Sequence, residues 1–305
     1  MDATPVHVPV MLKEALEHLA ARCGGVYLDG TAGGGGHAAA LWERIRPGGR
    51  LILLDRDHGA LERLKARFGR EGGLTYCHAN FCDFDKALIQ AGEERFDGAL
   101  LDLGVSSLQL ADAERGFSFE RSGPLDMRYD RSQELTAFEI VNRWDAEDLA
   151  SLFSAYGDQP YARRIARAIV QTRGRQPIRR TDELADVVTV AQPARYRRRK
   201  RIHPATRIFQ ALRMAVNDEP RSLDMFCRKI FDYLKPGGRA VVIAFHSGED
   251  RIVKNRFREA VRAGVAELLV RKPITPDPDE VRANPRSRSA RLRVAARLAP
   301  RVGLS

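Results

Sequence analysis

The chain of 305 residues is long enough for one large α/β domain carrying an insertion, or for two modest domains. Its composition, 44% hydrophobic and 30% charged, excludes a disordered chain, and no apolar run reaches the roughly eighteen residues that a membrane-spanning helix needs. The net charge of +11 is confined to one stretch: Tyr161 to Arg207 holds fourteen Lys and Arg against three acids, the whole of the excess, which points to a polyanionic partner.

The N-terminus lacks the charged start, apolar stretch and cleavage site of a secretory signal, so a cytoplasmic location is expected. Cys23, Cys77, Cys82 and Cys227 form no CxxC pair, and the histidines lack the spacing that sets two ligands on one helical face. No metal is expected.

Strand and helix alternate through the first hundred residues. A helix over Met11–Arg22 precedes a short apolar strand, Val26–Asp29, which ends in an acid and runs straight into Gly30-Thr31-Ala32-Gly33-Gly34-Gly35-Gly36-His37. A helix over Ala38–Ile45 follows, then a strand over Leu51–Leu54 ending at Asp55, a helix over Gly59–Phe68, and a strand over Leu74–His78. A helix near Asp85–Gln90 leads to a fourth strand, Phe96–Leu103, with an acid, Asp102, at its end. This alternation predicts a parallel sheet covered on both faces.

From about Ser107 to Lys200 the pattern turns helical, over Ala137–Asn142, Ala146–Tyr156, Tyr161–Gln171 and Thr181–Ala191. The α/β pattern is expected to resume with Pro204–Val216, a helix over Arg221–Leu234, the turn Leu234-Lys235-Pro236-Gly237-Gly238 and an apolar strand, Ala240–Phe245. Two further strands are expected over Ala266–Arg271 and Arg291–Arg297.

In such a sheet ligands sit beyond the carboxyl ends of the strands, where the topology switches. The glycine run lets backbone approach a ligand closely, and the helix after it offers free amide donors. Asp55 stands 19 residues beyond Gly36 at the end of the second strand, where an acid accepts hydrogen bonds from ribose hydroxyls. These features predict a nucleoside-containing cofactor. Asp29, just before the loop, is poor company for a pyrophosphate but suits a cation, which favours S-adenosylmethionine over a dinucleotide.

Longer motifs run along nearly the whole chain: His7-Val8-Pro9-Val10-Met11, Leu101-Asp102-Leu103-Gly104-Val105-Ser106-Ser107, Arg115-Gly116-Phe117-Ser118-Phe119 and Gly123-Pro124-Leu125-Asp126-Met127-Arg128. His203-Pro204-Ala205-Thr206-Arg207, Phe245-His246-Ser247 and Asn284-Pro285-Arg286-Ser287-Arg288-Ser289 complete the set. In order and content the chain resembles the bacterial 16S rRNA cytosine-N4 methyltransferases, the RsmH or MraW family. Gly248 and Tyr129 depart from it, standing where Leu and Met are usual, and both leave the polar residues intact.

The resemblance implies a Rossmann-like S-adenosylmethionine-dependent methyltransferase sheet, discontinuous over 1–107 and 203–305, with a helical, Arg-rich RNA-recognition domain inserted over 108–202. It implies that Gly35, Gly36, His37, Asp55, Phe81, Asp102 and Gln109 hold S-adenosylmethionine. It also implies a substrate cytosine in 16S rRNA, in the decoding (P-site) region of the small ribosomal subunit. Asp102 is the candidate catalytic residue, either accepting a proton of the exocyclic amine or gripping the cofactor. His246, at the end of the fifth strand, either contacts the base or is a structural cap. Other readings are a methyltransferase of another RNA or of a protein, and a non-catalytic RNA-binding protein. No membrane partner is expected, and monomer and homodimer both remain open.

Overall fold

The computed structural model describes residues 9–69, 72–194 and 203–299. By its internal contacts the chain divides into two compact units, Met1–Gly104 with Pro220–Ser305, and Val105–Glu219.

The first unit opens with α1 (Leu12–Leu19), then β1 (Val26–Asp29), α2 (Gly36–Ile45), β2 (Arg50–Asp55), α3 (His58–Phe68), β3 (Leu74–His78), a 3-10 turn (Phe81–Asp83), α4 (Phe84–Gln90) and β4 (Phe96–Asp102). The sheet has seven strands in the order β3-β2-β1-β4-β5-β7-β6, the last three being β5 (Leu234–Ala244), β6 (Ala266–Leu268) and β7 (Arg291–Arg297). β1 to β5 are parallel, whereas β7 runs antiparallel to both β5 and β6.

Residues of one strand alternate between two cores because successive side chains point to opposite faces. Val26, Leu28, Ile52, Leu54, Leu101 and Val242 pack with Phe84 and Phe226 on one face. Tyr27, Leu51, Leu53, Leu100, Val241 and Ile243 pack on the other with Leu41 and Ile45 of α2. Burial on both faces explains why these strands read as continuous apolar runs. From β1 the chain winds outward to β2 and β3, then returns to lay β4 on the other side of β1. That reversal is the switch point of the sheet, and β1 and β4 both end there in an acid.

The second unit is helical: α5 (Ser107–Ala111), α6 (Ala137–Arg143), α7 (Ala146–Ala155), α8 (Ala162–Arg173), α9 (Thr181–Ala191) and α10 (Thr206–Val216). Its core joins Ile140, Phe153, Ile165, Ile169, Leu184 and Leu212. The unit is longer at both ends than the expected insertion over 108–202. The chain does not return to the sheet at 203, because Ile208, Phe209, Ala211 and Leu212 of α10 are buried in the helical core. The return comes with α11 (Glu219–Tyr233), which packs Leu223, Phe226 and Ile230 on the sheet. The remaining helices of the first unit are α12 (Ser247–Arg262) and α13 (Pro278–Ala283).

Asn217 ties together the loop between α5 and α6. Fully buried, it donates from Nδ2 to the Met127 carbonyl at 2.7 Å and to the Arg213 carbonyl at 2.9 Å, and its Oδ1 accepts the Tyr129 N–H at 2.8 Å. These bonds hold Met127, also fully buried, in a left-handed conformation (φ 61°) that a residue with a side chain rarely adopts. Asn217→Ala strands buried polar groups and is expected to cost about 2–4 kcal/mol in urea unfolding. A loss below about 1 kcal/mol would contradict this role.

A carboxyl-lined candidate active site

The loop after β1 builds one wall. Gly30 N–H bonds to the Leu100 carbonyl of β4, and Ala32 N–H to the Leu54 carbonyl of β2, so the loop crosses the ends of three strands. Gly30 has no room for a side chain, since a Cβ there would stand 2.5 Å from Leu101 Cδ2 and 3.2 Å from Phe81 Cβ. Gly35 caps α2 at φ 76°, where a Cβ would meet Leu64 Cδ2 at 2.5 Å. Thr31 links the two acid-ended strands: its N–H bonds to Asp29 Oδ1 at 3.2 Å, and its Oγ1 accepts the Asp102 N–H at 2.6 Å.

Asp55 is partly exposed and held from two sides, Oδ2 accepting Gly33 N–H at 2.7 Å and Oδ1 accepting Asp57 N–H at 2.8 Å. A carboxylate has about four acceptor sites, so capacity remains for two hydroxyls. Asp102 turns Oδ2 to His37 Nδ1 at 3.6 Å. Its Oδ1 is buried and has no hydrogen-bond partner. His37 Nε2 lies 3.0 Å from the Val10 carbonyl, which accepts a proton only, so the ring carries its hydrogen there and Nδ1 faces Asp102.

The electrostatics of this corner are unusual. Burial pushes the Asp29 carboxyl up to about 7, with Asp55 adding to the effect. Burial also raises Asp55. Asp102 is raised well above the usual carboxylate range, first by burial and then by the negative charges of Asp29, Glu249 and Glu280. The last two arrive from late in the chain: Glu249, in the first turn of α12, accepts the Phe245 N–H at 2.8 Å, and Glu280 of α13 accepts the Met11 N–H at 2.7 Å. The set is starved of positive charge. A nucleoside bearing a cationic ammonium and sulfonium fits it, with Asp55 to hold hydroxyls and an orphaned acceptor on Asp102.

Of the residues expected to hold the cofactor, Gly35, Gly36, His37, Asp55 and Asp102 gather at this edge of the sheet. Phe81 opens the 3-10 turn after β3, against Gly30, with its ring edge-on to Phe226 at 6.0 Å. Gln109 belongs to the helical unit, where it is buried and closes the capping box of α5: its Oε1 accepts Ser106 N–H at 3.0 Å, and Ser106 Oγ accepts its N–H at 3.2 Å. Sequence reasoning missed Thr31, Glu249 and Glu280. Thr31 was within reach, lying between two acids that end adjacent strands. Nothing local marks the two glutamates, because only the tertiary fold brings them near Asp102.

In the helical unit Arg163, Arg164 and Arg167 of α8 are exposed, as are Arg175 and Arg179. Arg173 differs, bonding to the Val141 carbonyl at 2.6 Å as part of the packing. The run Arg195–Arg201 and His7 lie outside the described residues.

The raised carboxyls dictate a pH dependence. In the folded protein Asp29 keeps its proton to about 7, whereas unfolded it loses it near pH 4. Across that window the unfolded state binds fewer protons, so ligand-free stability falls as pH rises from about 4 to 7. Asp29→Asn removes this ionisation. The wild type is expected to lose several degrees of melting temperature relative to Asp29→Asn between pH 5 and pH 8. Parallel melting curves across the range would contradict the assignment.

Residues 4–298 match the MraW methylase family. A protein called ribosomal RNA small subunit methyltransferase H from Nitratidesulfovibrio vulgaris (strain DSM 19637 / Miyazaki F) is 49% identical, over 97% of this chain and 87% of its own. Proteins of the same name from Thermomicrobium roseum and Halothermothrix orenii are 47% and 44% identical over 96% of this chain, covering 94% and 98% of their own. The chain belongs to the MraW methylase family.

Proposed function

We propose that this methylase transfers a methyl group from S-adenosylmethionine to N4 of a cytosine in 16S ribosomal RNA, in the decoding (P-site) region of the small subunit. The observation that carries the reading is the buried, unpartnered Asp102 Oδ1 among acids raised by burial, at the switch point of a methylase sheet. The relatives' printed name supplies the class of substrate, and the cytosine N4 follows from the family resemblance in the motifs.

S-adenosylmethionine, when bound, supplies an electrophilic methyl on a sulfonium centre. Asp55 holds the ribose hydroxyls, and the loop Gly30–Gly36 lets the backbone come close. Asp29 and Asp102 set negative potential where the cationic groups lie. Phe81 flanks the base of the nucleoside.

Cytosine N4 is a poor nucleophile because its lone pair is delocalised into the ring. Asp102 Oδ1 accepts an N4–H, which favours a more nucleophilic nitrogen, and the N4 proton leaves toward this carboxyl and solvent. Positioning provides most of the rest, as much as about 7–11 kcal/mol when the orientation is best. Carbon methylation would need a thiolate to attack the ring, and the fold offers none here. Burial raises the Cys82 thiol, beside Phe81, above its ordinary value, and burial pushes the Cys77 thiol up to about 11.

The target base must leave its stack to reach such a site. Arg163, Arg164 and Arg167 form one stripe of α8 suited to following a phosphate backbone. Replacing all three by Gln is expected to weaken RNA binding and to reduce the slope of log K against log salt by roughly 2–3. An unchanged slope would take these residues out of the interface.

The direct test is methyl transfer from labelled S-adenosylmethionine to small subunits lacking this modification, followed by nucleoside analysis. Label is expected in N4-methylcytidine, with a loss of at least about 100-fold on Asp102→Ala and a markedly raised cofactor KM on Asp55→Ala. Label in another nucleoside would overturn the cytosine assignment, and label in protein would overturn the RNA assignment.

A further inference from the structure

His246 follows β5 and stands as the residue before α12. Its Nδ1 accepts two backbone amides, Gly248 N–H at 3.2 Å and Glu249 N–H at 3.3 Å, so it caps the helix as an Asn or Asp side chain would. An imidazole nitrogen that accepts carries no hydrogen, so the ring hydrogen sits on Nε2. The cap fixes this tautomer and the direction in which Nε2–H points.

That N–H is buried and makes no hydrogen bond. Glu249 Oε1 lies 2.9 Å from Nε2 without forming a hydrogen bond to it, and the other oxygen of Glu249 is engaged by the Phe245 and His246 amides. The His246 side chain as a whole is 16% exposed. A buried donor without a partner costs about 1–3 kcal/mol, a cost that persists where a ligand removes it.

The neighbourhood defines that ligand. β5 lies beside β4 in the sheet, with Asp102 paired to Ile243 and the Leu103 N–H bonded to the Ile243 carbonyl at 3.0 Å, so His246 follows the strand end adjacent to Asp102. Glu249, next to the His246 ring, is one of the charges that act on Asp102. The strand ends therefore present an orphaned acceptor, Asp102 Oδ1, and an orphaned donor, His246 Nε2–H.

Cytosine presents the complement on one edge, an N4–H donor beside an N3 acceptor. Uracil presents the reverse, an O4 acceptor beside an N3–H donor. We infer that His246 is a specificity-determining residue that donates from Nε2 to N3 of the target cytosine while Asp102 receives the N4 amine. This rests on the reading of the site as one that methylates cytosine. It assigns His246 two tasks with two nitrogens: Nδ1 holds the helix and Nε2 reads the base. Uracil would then set N3–H against the His246 donor and leave O4 facing an acid.

The test combines one variant with one base analogue. His246→Asn keeps a good cap for α12 but removes the Nε2 donor. Small subunits carry either cytosine or 3-deazacytosine, which has C–H in place of N3, at the target position. For the wild type, the analogue is expected to lower kcat/KM roughly 5- to 150-fold, and His246→Asn to lower it by a similar factor on cytosine. On the variant the analogue should make little further difference, because the bond it removes is already gone. Cofactor affinity should be unchanged.

A wild type indifferent to the analogue overturns the inference, even if His246→Asn folds poorly. So does a variant that loses its full factor again on 3-deazacytosine, which would leave His246 as a cap alone. A wild type that methylates no cytosine overturns the functional reading and the inference with it.

Discussion

Two parallel strands that end side by side in acids, bridged by one threonine, are the constraint from which the site follows. Asp29 closes β1 and Asp102 closes β4, and Thr31 accepts from one strand while donating its own amide to the other's carboxylate. Burying neighbouring carboxyls is costly, and burial together with their mutual charge raises Asp29 and Asp102 above the usual carboxylate range. The glycines between Gly30 and Gly36 are needed because the loop must turn over three strand ends without side chains in the way. The sheet, buried on both faces, supplies the rigidity that keeps the acids in place when repulsion would separate them.

The same corner explains the economy of the rest of the first unit. Glu280 is tied to the Met11 amide, so residues 269 apart in the chain meet, and the charge of Glu280 acts on Asp102. Glu249 serves as the reciprocal partner in the α12 cap and as a second source of negative charge. Groups that fix the backbone therefore also tune the chemistry. The helical unit follows a separate logic, with a core of its own and arginines spread over its surface.

Much of the fold could be read from the sequence because its signals are local. β1, β3, β7 and α9 begin and end where apolar runs and turn residues place them, and Asp55 and Asp102 were found as acids closing buried strands. The failures are also physical. α5 and α13 are short, stabilised by caps and neighbours, and leave no apolar period. α10 is amphipathic, and nothing in its pattern says which core it will join. β6 is an edge strand that ends at Leu268, and beyond it the chain keeps only scattered bonds to β7, from Leu269 to the Val294 carbonyl and between Ile274 and Leu292. Thr31, Glu249 and Glu280 escaped notice because their importance is relational, arising only once distant segments are packed.

Burial raises the carboxyls of this corner in the ligand-free protein, so binding of a cationic cofactor is expected to displace protons from them. Calorimetry of S-adenosylmethionine binding at pH 6.5, in buffers of different ionisation enthalpy, measures that directly. Net proton release is expected, with affinity rising toward pH 8 and a smaller release for S-adenosylhomocysteine, which lacks the sulfonium. Proton uptake, or binding that is independent of both buffer and pH, would contradict the account.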